Sequence, residues 1–267
     1  MKLWQILLAI IAVLILVIVG PSILSLNPDL KEGIGVGLAG SFQESGKNDL
    51  ALSMCDWVLE DSPYSKEALK VKVEVLTETG NMDEALALQK TVVYNTPEGA
   101  TPDDWNTLAD LSLKSGDTGG AVDAYNMVEK YYNLEYAEDP GDPDTLKNRG
   151  MVLIKLQRYD EAIDCYNEMT EAEPENTDAW IGLGDAYLFK SLYDQGQLVD
   201  LYADLGRDSS ARVNKYSMNS FESNRKAVEA YNKAVEIDPF VYPLISAKIL
   251  GNYQKTIENY QDILENL

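Results

Sequence analysis

The chain has 267 residues, 45% of them hydrophobic, with 22 basic against 44 acidic residues, a net charge of −22 and no histidine. So acidic a chain argues against nucleic acid, which is bound by releasing phosphate counterions with Lys and Arg, and against anionic lipid surfaces for the same reason. Without histidine, Ser-His-Asp and Cys-His nucleophiles, His-containing zinc sites and imidazole acid–base chemistry are excluded. Carboxylates abound, but no spacing sets two of them up as an acid/base pair. The chain therefore reads as a non-enzyme without cofactor or metal, and an enzyme using carboxylates is only a remote alternative.

Residues 3–20, LWQILLAIIAVLILVIVG, hold one polar residue (Gln5) and no charge. At 1.5 Å per residue they span about 27 Å, close to the hydrocarbon thickness of a bilayer. A cleaved signal peptide is the rival reading, but its nearest small-x-small site, Ile18-Val19-Gly20, runs into Pro21. The expectation is an uncleaved single-pass anchor over 1–26 and a linker over 27–31. Lys2 precedes the segment and the net-negative NPDLKE follows it, which places the N-terminus inside and the remainder outside the cytoplasm. The cytoplasmic-facing arrangement is the alternative.

From residue 32 a short turn recurs, followed each time by a small residue: GKNDLA (46–51), GNMDEA (80–85), GDTGGA (116–121) and QRYDEA (157–162), with looser copies at 223–227 and 251–256. Pro63, Pro97, Pro174 and Pro239 each follow twelve residues after the small residue. The first two copies are 34 residues apart, a period that marks a helical repeat array. The clearest unit is 143–176. Leu146, Gly150 and Leu153 line one face of a first helix, and Ala162, Tyr166 and Met169 line a second that Pro174 closes.

This pattern resembles the tetratricopeptide repeat (TPR) family, whose signature is W-x2-L-G-x2-Y, then A-x3-F, then P. The unit at 32–65 keeps Leu38, Ala39, Phe42, Ala51 and Pro63, but Gly33, Gly35, Gly37 and Gly40 load its first helix at a cost of about 1 kcal/mol each. The unit at 66–99 keeps Leu69, Leu76, Ala85 and Pro97, with Gln89 at the aromatic position. The unit at 102–135 keeps Trp105, Leu108, Ala109, Ala121 and Tyr125, with Asn133 in place of proline. The turn-rich YAEDPGD (136–142) separates it from 143–176. The unit at 177–241 keeps Trp180, Leu183, Gly184 and Tyr187 but carries about 31 extra residues at roughly 191–221, and 240–267 reads as a partial unit or cap. Cys55 and Cys165 sit at corresponding places in repeats three apart and read as buried small hydrophobes.

The resemblance implies an all-α fold: a right-handed superhelical solenoid of about six helix pairs behind the transmembrane helix. It also implies a protein or peptide partner in a concave groove lined by first helices, with no small-molecule substrate. In that register Lys70, Glu74, Asn106, Asp110, Lys147, Asn148, Met151, Lys155 and Asp185 face the groove. Glu74 and Met151 stand where the Lys/Asn clamp of chaperone-binding relatives needs its second asparagine, so that activity is not implied. In the insertion Arg207, Arg212 and Lys215 form a basic cluster suited to an acidic or phosphate-bearing partner. The insertion is either a partner-contacting element or a solvated loop. The resulting expectation is a membrane-tethered scaffold or adaptor, a subunit or assembly factor of a larger complex. The alternative is a permanent structural subunit of a membrane or envelope assembly.

Overall fold

The computed structural model describes residues 27–203 and 210–265. Among the described residues it holds eleven α-helices, one three-residue 3-10 turn and no strand. The chain divides into two compact units, 1–124 and 125–267, and the division falls inside the sixth helix.

The first unit contains α1 (Pro28–Glu44), α2 (Asn48–Leu59), α3 (Lys66–Glu78), α4 (Met82–Asn95), α5 (Pro102–Lys114) and the start of α6 (Thr118–Glu138). The recurring turn has a stereochemical cause. Gly46, Gly80 and Gly116 have φ of 69°, 82° and 80°, the left-handed region that only glycine enters without steric cost. The residue after each returns its N–H to a carbonyl five positions back (Lys47 to Phe42, Asn81 to Leu76, Asp117 to Ser112, each 2.8 Å), the bond that closes a Schellman helix end. The small residue after the turn is Ala51, Ala85 or Ala121, exposed by 0%, 0% and 1%, so no larger side chain fits where the two helices meet.

The glycines of α1 are not equivalent. A Cβ on Gly35 would lie 2.2 Å from Val58 Cγ2, whereas one on Gly33, Gly37 or Gly40 would meet nothing within 4 Å. Only Gly35 is needed for the approach of α1 to α2. Lys31, 4% exposed, bonds Asp61 at 2.5 Å and lies 4.9 Å from the Trp57 ring centroid. Glu32 accepts from Ser65 Oγ at 2.6 Å. These contacts hold α1 despite its low helix propensity.

The second unit contains the rest of α6, α7 (Pro143–Lys155), α8 (Tyr159–Ala172), α9 (Thr177–Ala203), α10 (Ser210–Ile237), a 3-10 turn at Pro239–Val241 and α11 (Tyr242–Glu265). Asp142 caps α7, its carboxylate accepting from Thr145 N at 2.8 Å, so the acidic run at 138–144 serves as a helix start. Tyr166 of α8 is wedged between two glycines: a Cβ on Gly150 of α7 would come to 2.7 Å, and one on Gly182 of α9 to 2.2 Å, from its ring. Gly184 stands in the same relation to Tyr231 of α10. The turn into α8 repeats the Schellman bond, Arg158 N to Leu153 O at 2.9 Å, but with Gln157 at φ 59° where the other turns have glycine.

Much of the interruption around 191–221 is helical, lengthening α9 and α10 to 27 and 28 residues. Their packing is partly polar. Ser191 Oγ lies 3.0 Å from Ser220 Oγ, Gln195 Nε2 donates to Ser220 Oγ at 3.1 Å, and Asn252 Nδ2 of α11 donates to Asn224 Oδ1 at 2.9 Å.

The membrane assignment needs correction. The anchor expected over 1–26 lies outside the described residues. Among the described residues no helix is long and apolar enough to cross a membrane. Helices α6, α9, α10 and α11 have the length, but α6 carries Asp123, Glu129 and Lys130, α9 carries Asp178, Asp185, Lys190 and Asp194, α10 carries Arg212, Lys215, Glu222 and Arg225, and α11 carries Lys248, Lys255 and Glu258. Each central charge opposes insertion by roughly 2.5–3.5 kcal/mol. A single-pass membrane protein with either orientation is therefore not supported.

Candidate partner-binding faces

In the first unit, α3 and α5 bound a cavity of ≈ 320 Å³ whose floor is Val73 and Leu111 and whose walls carry Glu74, Glu78, Asp110 and Lys114. Gln43 of α1 donates from Nε2 to Glu74 at 3.3 Å and Glu78 at 3.1 Å, so three first helices contribute to one acidic face. Asn106 is half-buried on α5. Lys70 lies 3.2 Å from Asp104 Oδ1, and Lys66 lies 2.6 Å from Oδ2.

Asp104 is 1% exposed. Burial works against its charge, but the bonds from Lys66, from the Thr101 backbone and hydroxyl and from Lys70 overcome that and hold its carboxyl down at about 2. It also completes a capping box with Thr101. Gln89, at the position expected to be aromatic, is 1% exposed and donates to Asp104 O at 2.6 Å. Sequence reading missed this cluster, whose only signal was the T-x-x-D spacing of 101–104.

In the second unit Lys147 pairs with Asp178 at 2.5 Å, Met151 is exposed and Asn148 is half-buried. Lys155 Nζ lies 5.9 Å from the Tyr125 ring centroid. Asp185 accepts from Tyr231 Oη at 2.7 Å and from Lys248 at 2.6 Å. Burial is the main reason the Tyr231 phenol is pushed far up, with Asp185 adding to it. Asp185, Phe189 and Lys248 border a mainly apolar cavity of ≈ 210 Å³ between α9 and α11. A larger one, ≈ 610 Å³, is bounded by Asn167 of α8, Trp180, Leu183 and Tyr187 of α9, and Lys226 and Lys233 of α10. Arg212 and Lys215 are exposed on α10, and Arg207 lies outside the described residues. The expected site residues that are described are thus distributed along several helices.

Both thiols are buried. Burial raises each, Cys55 to about 11, so neither is a reactive nucleophile at neutral pH. Among the described residues no three Cys, Asp or Glu side chains gather as metal ligands.

The unit with the Tyr166 wedge is where a known family model matches. Residues 143–176 match the tetratricopeptide repeat family. No curated protein matches the chain. Solved structures resemble it at low identity. The structure of YrrB, described as a TPR protein with an unusual peptide-binding site, is 18% identical over 80% of this chain and 89% of its own, with a TM-score of 0.47. The structure of MamA is 16% identical over 79% of this chain and 93% of its own, with a TM-score of 0.48. Outside residues 143–176 the left-handed glycine turns and buried alanines recur in the first unit, and Gly184 against Tyr231 repeats the glycine–tyrosine contact in the second.

Proposed function

We infer that the protein is a scaffold that binds protein partners through the face made by its first helices, and that residues 27–124 take a basic segment of the partner. The acidic cavity between α3 and α5 carries this reading. Glu74, Glu78 and Asp110 surround an apolar floor in a chain of net charge −22, an arrangement complementary to Lys or Arg side chains on an apolar peptide. Lys70 and Asn106 border that face. Lys147, Asn148, Lys155 and Asp185 belong to the corresponding face of the second unit, and the Arg207, Arg212 and Lys215 region is a further contact. The helical-repeat fold, with residues 143–176 matching the tetratricopeptide repeat, supports a scaffold. A role as subunit or assembly factor of a larger complex follows from the same reading.

A fluorescent peptide of repeated Lys-Ala-Leu, titrated with the full chain, tests this. Fluorescence anisotropy should show binding that weakens with salt and falls at least tenfold in Glu74→Lys/Glu78→Lys. An equal charge reversal at exposed Glu171 and Glu175 should change it less than threefold. Equal losses in the two variants would mean bulk charge attraction and overturn the assignment.

A further inference from the structure

A separate cavity of ≈ 360 Å³ opens where the turn between α7 and α8 meets the lengthened parts of α9 and α10. Its wall combines Tyr159 and Asp160 at the start of α8, Lys190, Tyr193 and Asp194 of α9, and Lys215 of α10. Asp194 is 5% exposed, and among the described residues its Oδ2 has no hydrogen-bond partner. A buried carboxylate oxygen without a donor is both costly and rare. The cations of the same wall have other partners or face solvent: Lys190 pairs with Asp160, Arg158 pairs with Glu129 and Glu161, and Lys215 is exposed. The rings of Tyr159 and Tyr193 lie 5.7 Å apart at 55°, a splayed aromatic wall with Tyr216 nearby.

We propose that this cavity receives the guanidinium of an arginine side chain presented by a partner protein. A guanidinium supplies the donor that Asp194 lacks, and its planar fork matches a carboxylate while its face lies on a tyrosine ring. Asp160 and Glu161 are already paired with Lys190 and Arg158, so the group that favours a cation is Asp194, in a chain of net charge −22. An anion would gain Lys215 but would leave Asp194 Oδ2 without a donor. A lysine ammonium satisfies the charge but not the flat aromatic wall. The site shares no residue with the acidic face of 27–124, so either assignment stands or falls alone.

The test uses the full chain labelled with ¹⁵N and titrated with N-acetylargininamide, its lysine analogue and its uncharged citrulline analogue. The arginine probe should shift amides of 157–161, 190–194 and 215–219. The lysine analogue should bind at least fivefold more weakly, and citrulline should leave those amides unmoved. Asp194→Asn should weaken arginine binding at least tenfold while keeping the helical circular dichroism and a melting temperature no lower than that of the parent chain, since a neutral amide is easier to bury. Tyr193→Leu, which keeps apolar bulk, should weaken binding several-fold and carries the test if Asp194→Asn fails to fold. Absence of binding at these segments, an equal response to citrulline, or full affinity in both variants would overturn the proposal.

Discussion

Two buried aspartates illustrate how environment decides what a charge does. Asp104 has Lys66, Lys70 and the Thr101 donors around it and is held at about 2. Asp194 is pushed up, chiefly by burial and then by Asp160, against the pull of Lys190 and Lys215. Their effects on stability have opposite signs. A depressed carboxyl contributes stability that is fully present above its unfolded value of about 3.9 and is lost as pH falls through its folded value. Asp104 therefore stabilises the fold above about pH 4 and ceases to do so toward pH 2. Asp194, with its raised carboxyl, withdraws stability as pH rises through the interval above its unfolded value. Asp104→Asn leaves Lys66 buried without a counter-charge and should cost about 3–5 kcal/mol at pH 7. Urea unfolding from pH 7 to pH 2 should show that gap narrowing as the pH falls. A pH-independent gap would refute the ion-pair account.

At the level of helices, the glycines decide how closely neighbours approach. Gly33, Gly37 and Gly40 point into open space on α1, so alanine there adds helix propensity without a clash. Each substitution should stabilise the protein by roughly 0.5–1 kcal/mol. Gly35→Ala should destabilise by about 1–3 kcal/mol, because its Cβ overlaps Val58. Thermal melts of the four single variants test this, and a Gly35→Ala protein as stable as the others would show that α1 shifts freely. From sequence the four glycines looked alike, because a letter does not tell which side of a helix meets its neighbour. Gly182 was passed over for the same reason: the signature marks Gly184, yet both contact tyrosine rings. The turns were legible because a left-handed residue followed by a buried alanine is a local requirement that leaves the same letters each time. In the lengthened parts of α9 and α10 only the short stretch at 198–206, with Leu198, Leu201, Tyr202 and Leu205 on one side, reads as helix from sequence. Their buried positions include Ser191, Asp194, Gln195 and Ser220 among the leucines, which breaks the apolar periodicity that marks an amphipathic helix.

For the molecule as a whole the dominant electrostatic fact is the excess of 44 acidic over 22 basic residues. Self-repulsion at that charge opposes compaction, and salt screens it over about 10 Å at 0.1 M. Many described ion pairs are exposed on both sides, such as Lys233–Glu236 and Lys255–Glu258, and each of these contributes little. Added salt should therefore relieve more repulsion than attraction. The melting temperature should rise by several degrees between 10 mM and 500 mM sodium chloride, and a fall would mean that the exposed pairs outweigh the net charge. The all-α repeat architecture was legible at this scale from spacing alone. The acidic face was legible in part, since the repeat register already turns Glu74 and Asp110 toward one groove, whereas the cavity beside Asp194 was not, since it depends on residues from different helices that no motif joins.

The polar contacts among α9, α10 and α11 bear on how those long helices are aligned. Leucine surfaces tolerate sliding, because one apolar turn replaces another after a shift of about 5.4 Å. Ser191, Gln195 and Ser220 permit no such ratchet: a one-turn slip of α9 along α10 separates their paired groups and strands them away from water. The Asn252–Asn224 bond fixes α11 against α10 in the same way. The hydrogen bonds that hid these helices from pattern reading thus act as an index mark, allowing the longest helices of the protein a single alignment.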